Sequence, residues 1–335
     1  MNEAAIIPEL FRALAEQRET SLELVLCDGG SADGTAELAR SLGRDCPFPV
    51  KVVDGEPGRA RQMNAGVAAS SASTLLFLHA DSLFPDRLAF RKGLDSLAAA
   101  IADRGQEKVA GHFALRFRRR DDPPSWGYYH FECKARLNRR ECTHGDQGFL
   151  LRRRFFAAVG PFDDTLPMLA ETRLAEAVRE NGEWLLLPAE IHTSARRFET
   201  EGLRERQTLN AIITNFAAMG WEPFFRELPR LYGNQESAEP LDLSRLLRQM
   251  GRLMAALPLG SRLRLWQATG RYVRSNAWQL ALLLDTRRNF RRGVSPGTGR
   301  LPILRVYDRY LDRLTDHPAG RLAAALLTWL WFRLA

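Results

Sequence analysis

Residues 24–35 read Leu-Val-Leu-Cys-Asp-Gly-Gly-Ser-Ala-Asp-Gly-Thr, an apolar run that leads into a turn of small and acidic residues. Two leucines spaced four residues apart follow Thr35 and predict a helix there. A carboxylate at the end of a strand, followed by a glycine turn and a helix, is typical of nucleotide sites in open α/β sheets. Asp28 is therefore a candidate for contacts to a base or ribose. The alternative is an ordinary turn in which Ser31 or Asp33 caps the helix.

Two later segments of the first half also place polar residues beside predicted strands. Arg59 and Arg61 stand at the start of the next predicted helix, where guanidinium groups and a helix N-terminus suit diphosphate oxygens. Residues 73–81 form a buried type of strand that ends in His79 and Asp81. A carboxylate at that point suits Mg²⁺ or Mn²⁺, which prefer oxygen ligands and bridge to substrate phosphates. A capped strand end is the alternative for each position, but three such sites in order favour a nucleotide site.

Four further motifs follow along the chain. They are His144-Gly-Asp-Gln-Gly148, the arginines 152–154 leading to Val159-Gly-Pro-Phe162, Pro167-Met-Leu-Ala-Glu171, and Thr193-Ser-Ala-Arg-Arg197. With these motifs the chain resembles the family 2 glycosyltransferases of GT-A fold, and it is most similar to the branch called radical-SAM/selenodomain-associated transferase. The resemblance covers residues 1–205, and the ordered set of motifs is specific where each motif alone is weak. It implies an α/β fold in which a mostly parallel sheet has helices on both faces.

The resemblance also implies an activity and a set of site residues. The expected reaction moves a sugar from a nucleotide-diphosphate sugar to a hydroxyl of a glycan, lipid or small molecule, with inversion, and depends on Mg²⁺ or Mn²⁺. Asp81 would bind the metal ion. Glu171 would act as the general base, and Asp146 would shape the sugar or acceptor side as a second catalytic carboxylate. The donor side is assigned to Glu3, Asp28, Arg59, Arg61, Arg196 and Arg197, the last two closing over the phosphates.

The chain departs from the family pattern at its two carboxylate motifs. His79-Ala80-Asp81 stands where the wider family has Asp-x-Asp, which leaves one metal carboxylate. Ala170-Glu171 stands where the family carries Glu-Asp in the acceptor-side helix. Glu171 keeps a carboxylate at the base position with a side chain one methylene longer, and general-base geometry is demanding.

The start of the chain also departs from the family, whose members begin with a strand of the type Val-Ile-Ile-Pro-x-x-Asn-Glu. This chain begins at Met1-Asn2-Glu3, so we expect the first strand to be missing. A start site further upstream or a shortened chain is the favoured reason, and a rearranged sheet is the alternative. That strand would lie between the strands at 22–27 and 74–79. These two are expected either to flank an unfilled position or to pair directly, because unpaired backbone groups inside a sheet are rarely tolerated.

Two other classes of function stay open on the sequence alone. A nucleotidyltransferase has a related fold, but it usually carries a glycine-rich loop with a basic residue after its first strand, in the region missing here. A non-catalytic nucleotide-sugar-binding or scaffold protein would explain Ala170 and the absent strand. The retained Asp28, Asp81, Asp146 and the Arg196-Arg197 pair favour the enzyme.

Composition indicates a globular protein with enough apolar content for a large core. Cys27, Cys46, Cys133 and Cys142 show no paired spacing, so we expect reduced thiols, with a zinc ion on Cys133, Cys142 and His144 as the alternative. No signal peptide and no spanning segment is expected, which predicts a cytoplasmic protein.

The charge of the chain changes near the polar stretch 233–240. Residues 241–335 contain 17 arginines, no lysine and five aspartates, whereas the preceding part is slightly acidic. We therefore predict a GT-A domain at 1–232 and a basic helical region at 241–335.

The basic region is predicted to consist of helices near 242–256, 260–287, 301–316 and 319–333, in which tryptophans stand among leucines and arginines. Such helices predict a peripheral contact with the inner face of an anionic membrane, and residues 322–335 are the strongest candidate for a membrane or dimer contact. The alternative, a helical bundle packed on the catalytic domain with its arginines in solvent, is favoured for most of these helices. No nucleic-acid recognition motif is present, and we predict no nucleic-acid partner.

Overall fold

The computed structural model describes residues 1–165, 168–232 and 239–335. Contacts divide the chain into two compact units, one of residues 1–120 with 131–194 and one of residues 121–130 with 195–335. The first unit contains all the strands of the described residues, and the second is helical. The predicted α/β class with a helical C-terminal region is therefore confirmed.

In the first unit helices and strands largely alternate along the chain. Its strands are β1 (Leu24–Asp28), β2 (Val50–Asp54), β3 (Thr74–Phe77), β4 (Val109–Arg118), β5 (Phe149–Arg152) and β6 (Glu183–Ser194). Its helices are α1 (Ile7–Ala15), α2 (Thr35–Gly43), α3 (Arg59–Ala69), α4 (Ala89–Arg104), α5 (Trp126–Lys134, whose first residues belong to the second unit), α6 (Arg153–Val159) and α7 (Ala170–Asn181). A short 3₁₀ turn at Gly145–Gln147 precedes β5.

The strands form two sheets. β1 and β2 pair in parallel, and the other four have the order β3-β5-β4-β6. β5 runs antiparallel to β3 and β4, whereas β4 and β6 are parallel. The predicted mostly parallel sheet is therefore corrected to a mixed one, since two of the four strand pairings in the described part are antiparallel. The reason is that β5 enters between β3 and β4 from the opposite end, after the 3₁₀ turn.

The first six residues do not form a strand. The backbone N–H groups of Asn2 and Ala4 donate instead to side-chain oxygens of the loop after β1, and that of Glu3 donates to the hydroxyl of Thr35, the first residue of α2, each at 2.9 Å. Within the described ranges β1 pairs with β2 alone and β3 with β5 alone. Of the two arrangements predicted for these strands, direct pairing of β1 with β3 is therefore wrong, because β1 is hydrogen-bonded to β2 and β3 to β5.

A side chain joins the start of β1 to the segment before β3. The carboxylate of Glu23 accepts hydrogen bonds from the Ser70 hydroxyl and from the backbone N–H groups of Ser71 and Ala72, at 2.7 to 3.1 Å. These hydrogen bonds, the one from Ser70 foremost, lower the pKa of Glu23 to about 2. The ionised carboxylate of Glu23 thus connects β1 to the segment before β3, although the two strands are not paired through their backbones.

Helices cover both faces of the four-stranded sheet. In β5, Leu150 belongs to the apolar cluster that includes α4, whereas Phe149 and Leu151 belong to the cluster that includes α6 and α7. Because successive side chains of a strand point to opposite faces, this division places helices on both sides, as predicted. In α7, Leu174 and Val178 pack into the second cluster, which fixes the helix whose first turn carries Glu171.

The second unit consists of helices. They are α8 (Arg196–Glu201), α9 (Leu203–Ala218), α10 (Glu222–Tyr232), α11 (Leu243–Ala255), α12 (Leu259–Ser275), α13 (Trp278–Arg291), α14 (Pro302–Val306), α15 (Asp312–Thr315) and α16 (Pro318–Leu334), with a π-helical turn at Tyr307–Leu311. Helices α8, α9 and α10 belong to this unit, although the domain predicted for residues 1–232 included them. Most of the predicted polar boundary, residues 233–238, lies outside the described residues, so that boundary stays a prediction.

The helix predicted over residues 260–287 is wrong, because two helices, α12 and α13, occupy this range. The chain turns at Asn276, whose backbone N–H donates to the carbonyl oxygens of Tyr272 and Val273. The Asn276 side chain also donates to Tyr272 O at 3.2 Å. These local hydrogen bonds close the C-terminus of α12, and asparagine is well suited to such ends.

Candidate active site

The loop after β1 is ordered by its own carboxylate. Asp28 accepts hydrogen bonds from the backbone N–H groups of Gly30, at 2.9 Å, and Ser31, at 2.7 Å, and from the Ser31 hydroxyl. Gly30 has a φ of 88°, a conformation that favours glycine. Burial raises the pKa of Asp28, but the hydrogen bonds outweigh burial and the pKa is lowered. Asp28 is therefore an ionised group that already holds its loop.

Three distant segments meet at one carboxylate oxygen. Glu171 Oε1, in the first turn of α7, lies 3.1 Å from Nη1 of Arg59, the first residue of α3. The same oxygen lies 3.0 Å from Nε2 of His79, which follows β3. The structure thus brings a predicted diphosphate ligand, the strand-end histidine and the predicted general base into direct contact.

The contacts of Glu171 keep it ionised. Burial raises the pKa of this carboxyl, but the charge of Arg59 and the hydrogen bond from His79 outweigh it and bring the pKa to about 2. The carboxylate is also seated against the loop before β5. A Cβ atom added to Gly145 would lie 2.6 Å from Glu171 Oε1, so this close approach requires glycine.

Asp146 has the opposite environment. Its Oδ1 atom is buried and has no hydrogen-bond partner among the described residues. Burial raises the pKa of Asp146; the charges of His144 and His79 oppose this rise, and those of Glu171 and Asp81 add to it. The site therefore holds two carboxylates with different proton affinities. The Glu171 charge is stabilised by Arg59 and His79, whereas Asp146 is buried and its Oδ1 accepts no hydrogen bond from the described residues.

Asp81 lies close enough to Asp146 for its negative charge to contribute to the raised pKa of Asp146. In the described ranges, however, no group of three His, Cys, Asp or Glu side chains has the arrangement of a complete metal site. The zinc alternative on Cys133, Cys142 and His144 is therefore not supported within those ranges, and all four cysteines are free thiols. A cation at Asp81 would need further ligands from its substrate.

Gln147 anchors the loop that carries Asp146. Its fully buried amide donates to the carbonyl oxygen of Ala135 at 2.7 Å and to Nδ1 of His112 at 3.0 Å. Its oxygen accepts from the backbone N–H of His144 at 2.7 Å. One side chain thus satisfies three buried partners and fixes the position of the loop.

Comparison with known sequences supports a glycosyltransferase. The sequence profile of the family described as Glycosyl transferase family 2 matches residues 1–160. This part of the chain is similar to glycosyl transferase family 2. The match includes Arg59, His79, Asp81 and Asp146, but it ends before Glu171. The radical-SAM/selenodomain-associated branch stays a prediction.

Two curated relatives of this chain come from mycobacteria and are named as glycosyltransferases. Each is named "PGL/p-HBAD biosynthesis glycosyltransferase", one from Mycobacterium bovis (strain BCG / Pasteur 1173P2) and one from Mycobacterium tuberculosis (strain ATCC 25177 / H37Ra). Each is 31% identical to this chain over 176 residues, which cover 51% of this chain and 63% of the relative. The matched region thus spans less than two thirds of these proteins.

Solved structures also show similarity. The mannosyltransferase PcManGT from Pyrobaculum calidifontis, in complex with GDP-Man and Mn²⁺, is 18% identical with a TM-score of 0.48, over 98% of this chain and 84% of that chain. S. aureus TarS 1-349 in complex with UDP is 13% identical with a TM-score of 0.47, over 87% of this chain and 89% of that chain.

The remaining predicted residues have other partners in the structure. In the first unit, the Arg61 guanidinium lies 2.9 Å from the Glu56 carboxylate, and the backbone N–H of Glu3 donates to the Thr35 hydroxyl. Arg196 and Arg197 lie in α8 of the second unit, where Arg197 pairs with Glu201 at 3.1 Å. Pro167, the first residue of the Pro167-Met-Leu-Ala-Glu171 motif, lies outside the described residues. The donor-side assignments of these residues stay predictions.

Gly145 and Gln147 have supporting roles that were not predicted from the sequence. Within the Gly-Asp-Gln-Gly motif, the predicted role belonged to Asp146 alone. The available signal was the long amide next to a predicted catalytic carboxylate, because an amide that becomes buried there needs hydrogen-bond partners. The identity of those partners, His112 and Ala135, required the fold.

The buried His112 makes the stability of the first unit depend on pH. Burial lowers the pKa of His112 to about 4, whereas the unfolded value is about 6.5. The fold favours the neutral imidazole, so its contribution is complete above about pH 6.5 and is lost as the pH falls towards 4, by about 3 kcal/mol at most. Urea unfolding at pH 7.5 and pH 5 measures this loss. His112→Gln has no titrating group and should lose this part of the pH dependence; an unchanged dependence would contradict the assignment.

Proposed function

We propose that this protein is a glycosyltransferase that moves a sugar from a nucleotide-diphosphate sugar to a hydroxyl acceptor, with inversion at the anomeric carbon. The observation that carries the proposal is the meeting of Arg59, His79 and Glu171 beside Asp146 and Asp81. A cationic group suited to a diphosphate and a carboxylate suited to a proton stand together there, as such a transfer needs.

Asp146 is the proposed proton acceptor. Its buried Oδ1 has no partner among the described residues, and its pKa is raised by burial, so it is the better base of the two carboxylates. Glu171, with a pKa of about 2, is a weak base while Arg59 and His79 hold it. We assign Glu171 to positioning these two side chains, in place of the general-base role that the resemblance implied.

Arg59 is the proposed ligand of the donor diphosphate, since its planar guanidinium can donate two hydrogen bonds to phosphate oxygens. It also stands at the N-terminus of α3, where anions are favoured. Asp28, Glu3 and Arg61 keep their assignment to the donor side, and Arg196 and Arg197 keep theirs to the phosphates. The assignments of Glu3, Arg196 and Arg197 rest on the resemblance alone, whereas those of Asp28 and Arg61 rest also on their places at the end of β1 and in the first turn of α3.

A divalent cation fits the donor set at Asp81. Mg²⁺ and Mn²⁺ are commonly held by one or two carboxylates together with substrate phosphates, so the absence of a three-residue cluster in the described part is compatible with such an ion. Asp81 would hold it. When bound, the cation would supply positive charge to the departing diphosphate.

The proposed reaction is a single displacement. The acceptor oxygen forms a bond to the anomeric carbon as the bond from that carbon to the diphosphate breaks. The hydroxyl proton passes to Asp146, and the electron pair of the broken bond leaves with the nucleoside diphosphate. Attack opposite the leaving group inverts the anomeric centre.

The proposal is tested by donor binding and by the product released. Nucleotide-diphosphate sugars should raise the melting temperature of the protein in the presence of Mn²⁺, since a ligand at a hundred times its Kd stabilises a fold by about 2.7 kcal/mol. Asp81→Asn should lose the part of this shift that depends on Mn²⁺. Asp103→Asn, at an exposed side chain, is the matched control and should keep it.

The product distinguishes the three classes of function. Release of nucleoside diphosphate from a nucleotide-sugar and a hydroxyl acceptor supports the transferase. Pyrophosphate release from a nucleoside triphosphate and a sugar phosphate would identify a nucleotidyltransferase instead. Donor binding without either product, across a panel of acceptors, would identify a binding or scaffold protein.

A further inference from the structure

The exposed apolar side chains of the described residues are concentrated in one part of the chain. Apart from Met1 and Leu186, all the large ones lie between Leu259 and Leu334. Several belong to the segment of α14, the π-helical turn and α15, and the largest group belongs to α16. Exposed apolar groups at this density mark a surface that is covered by something else.

Helix α16 has a packed side and an exposed side. On the packed side, Ala325 is buried, and a Cβ added to Gly270 of α12 would lie 2.4 Å from the carbonyl oxygen of Arg321, so the two backbones approach closely. The rings of Trp266 and Phe332 also pack together, with centroids 5.8 Å apart. The contact with α12 thus fixes which side of α16 is left exposed.

The exposed side carries leucines four residues apart. Their side chains are between 47% and 79% exposed, and we call them the leucine face: Leu322, Leu326, Leu330 and Leu334. Residues four apart lie on one side of a helix, so the four form a continuous apolar strip. Leu327, Trp329 and Trp331 are exposed beside it.

The charge of this part of the chain is mostly positive, although Arg321 of α16 is paired with Asp316 at 2.9 Å. Residues 241–335 carry 17 arginines against five aspartates, and no acidic residue follows Asp316. Arg333 lies over the ring of Trp329 at 5.7 Å, and Arg309 lies over the ring of Tyr310 at 5.4 Å. Arginine beside leucine and aromatic rings is the composition of helices that lie in the headgroup region of a bilayer.

We propose that the leucine face of α16 binds the surface of an anionic lipid bilayer, with the helix lying in the interface. The helix has 17 residues and carries Arg321 and Arg333, and no helix of the described part is long and apolar enough to cross a membrane. A second copy of the chain would bring two strongly positive regions together, whereas anionic lipids supply the opposite charge. The proposal is independent of the catalytic assignment.

The test measures how the full chain partitions onto vesicles. Vesicles of phosphatidylcholine with phosphatidylglycerol should sediment the protein, those of phosphatidylcholine alone should sediment much less, and added salt should weaken the binding. Leu326→Ser with Leu330→Ser should lower the partition coefficient at least about tenfold, because two apolar side chains no longer enter the interface. The melting temperature should be unchanged.

A matched pair on another helix is the control. Leu280 and Leu284 of α13 are also four apart, exposed and in the second unit. Leu280→Ser with Leu284→Ser should leave vesicle binding intact, and equal loss with both pairs would overturn the assignment to α16. Absence of binding by the parent protein would also overturn it. So would a dimer in solution that the α16 pair dissociates while vesicle binding persists.

Discussion

Asp146→Asn is expected to lower turnover at least about a hundredfold while donor binding changes little, the scale usual for loss of a general base. Asparagine keeps the shape of the side chain but has no carboxylate to accept the proton of the acceptor hydroxyl. The measurement is nucleoside diphosphate release at saturating donor. In the parent enzyme, turnover should fall as the pH falls through the raised pKa of Asp146, because protonation removes the base.

The comparison variant is Glu171→Gln. It releases Arg59 and His79 but leaves Asp146 in place, so its turnover should exceed that of Asp146→Asn, and the acidic limb of the pH profile should persist. The opposite order, with Glu171→Gln the slower enzyme and Asp146→Asn close to the parent, would return the base role to Glu171.

Gln147→Leu is expected to lower the free energy of unfolding by about 3–5 kcal/mol. Leucine is similar in size, but it removes the hydrogen bonds that Gln147 makes to His112 Nδ1, the Ala135 carbonyl oxygen and the His144 N–H, and an unpaired buried group costs about 1–3 kcal/mol. Urea unfolding at pH 7.5 gives the value, since His112 is neutral there.

The control for this change is Gln267→Leu on the exposed side of α12. An exposed glutamine exchanges its hydrogen bonds with water, so the free energy of unfolding should change by less than about 0.5 kcal/mol. If the two variants were equally stable, the loop before β5 would be held by something other than Gln147.

The elements that the sequence predicted well are those with a strong local pattern. The strand at Leu24–Asp28 and the helices α11 and α16 lie within a few residues of the predicted ranges, because apolar spacing along the chain determines them. The direction of β5 and the break at Asn276 were not predicted. Strand direction depends on which partners a strand meets, and the break depends on hydrogen bonds at the end of α12.

The site shows the same division. The sequence motifs identified Arg59, His79, Asp81, Asp146 and Glu171, and the structure brings these residues together. What the sequence could not provide is the ion pair of Arg59 with Glu171, which joins residues 112 positions apart. That ion pair changes the proton affinity of the predicted base, so its role could be judged only once the fold was known.

The ion pair of Arg59 and Glu171 has a consequence for the catalytic cycle. On the proposed assignment, one guanidinium serves two anions, the carboxylate before the donor arrives and the diphosphate afterwards. The Glu171 carboxylate then competes with the diphosphate for Arg59, and this competition weakens the binding of both the donor and the nucleoside diphosphate product. When the sugar has left, recapture of Arg59 by this carboxylate helps to expel the nucleoside diphosphate, so a modest donor affinity is the counterpart of a fast release step.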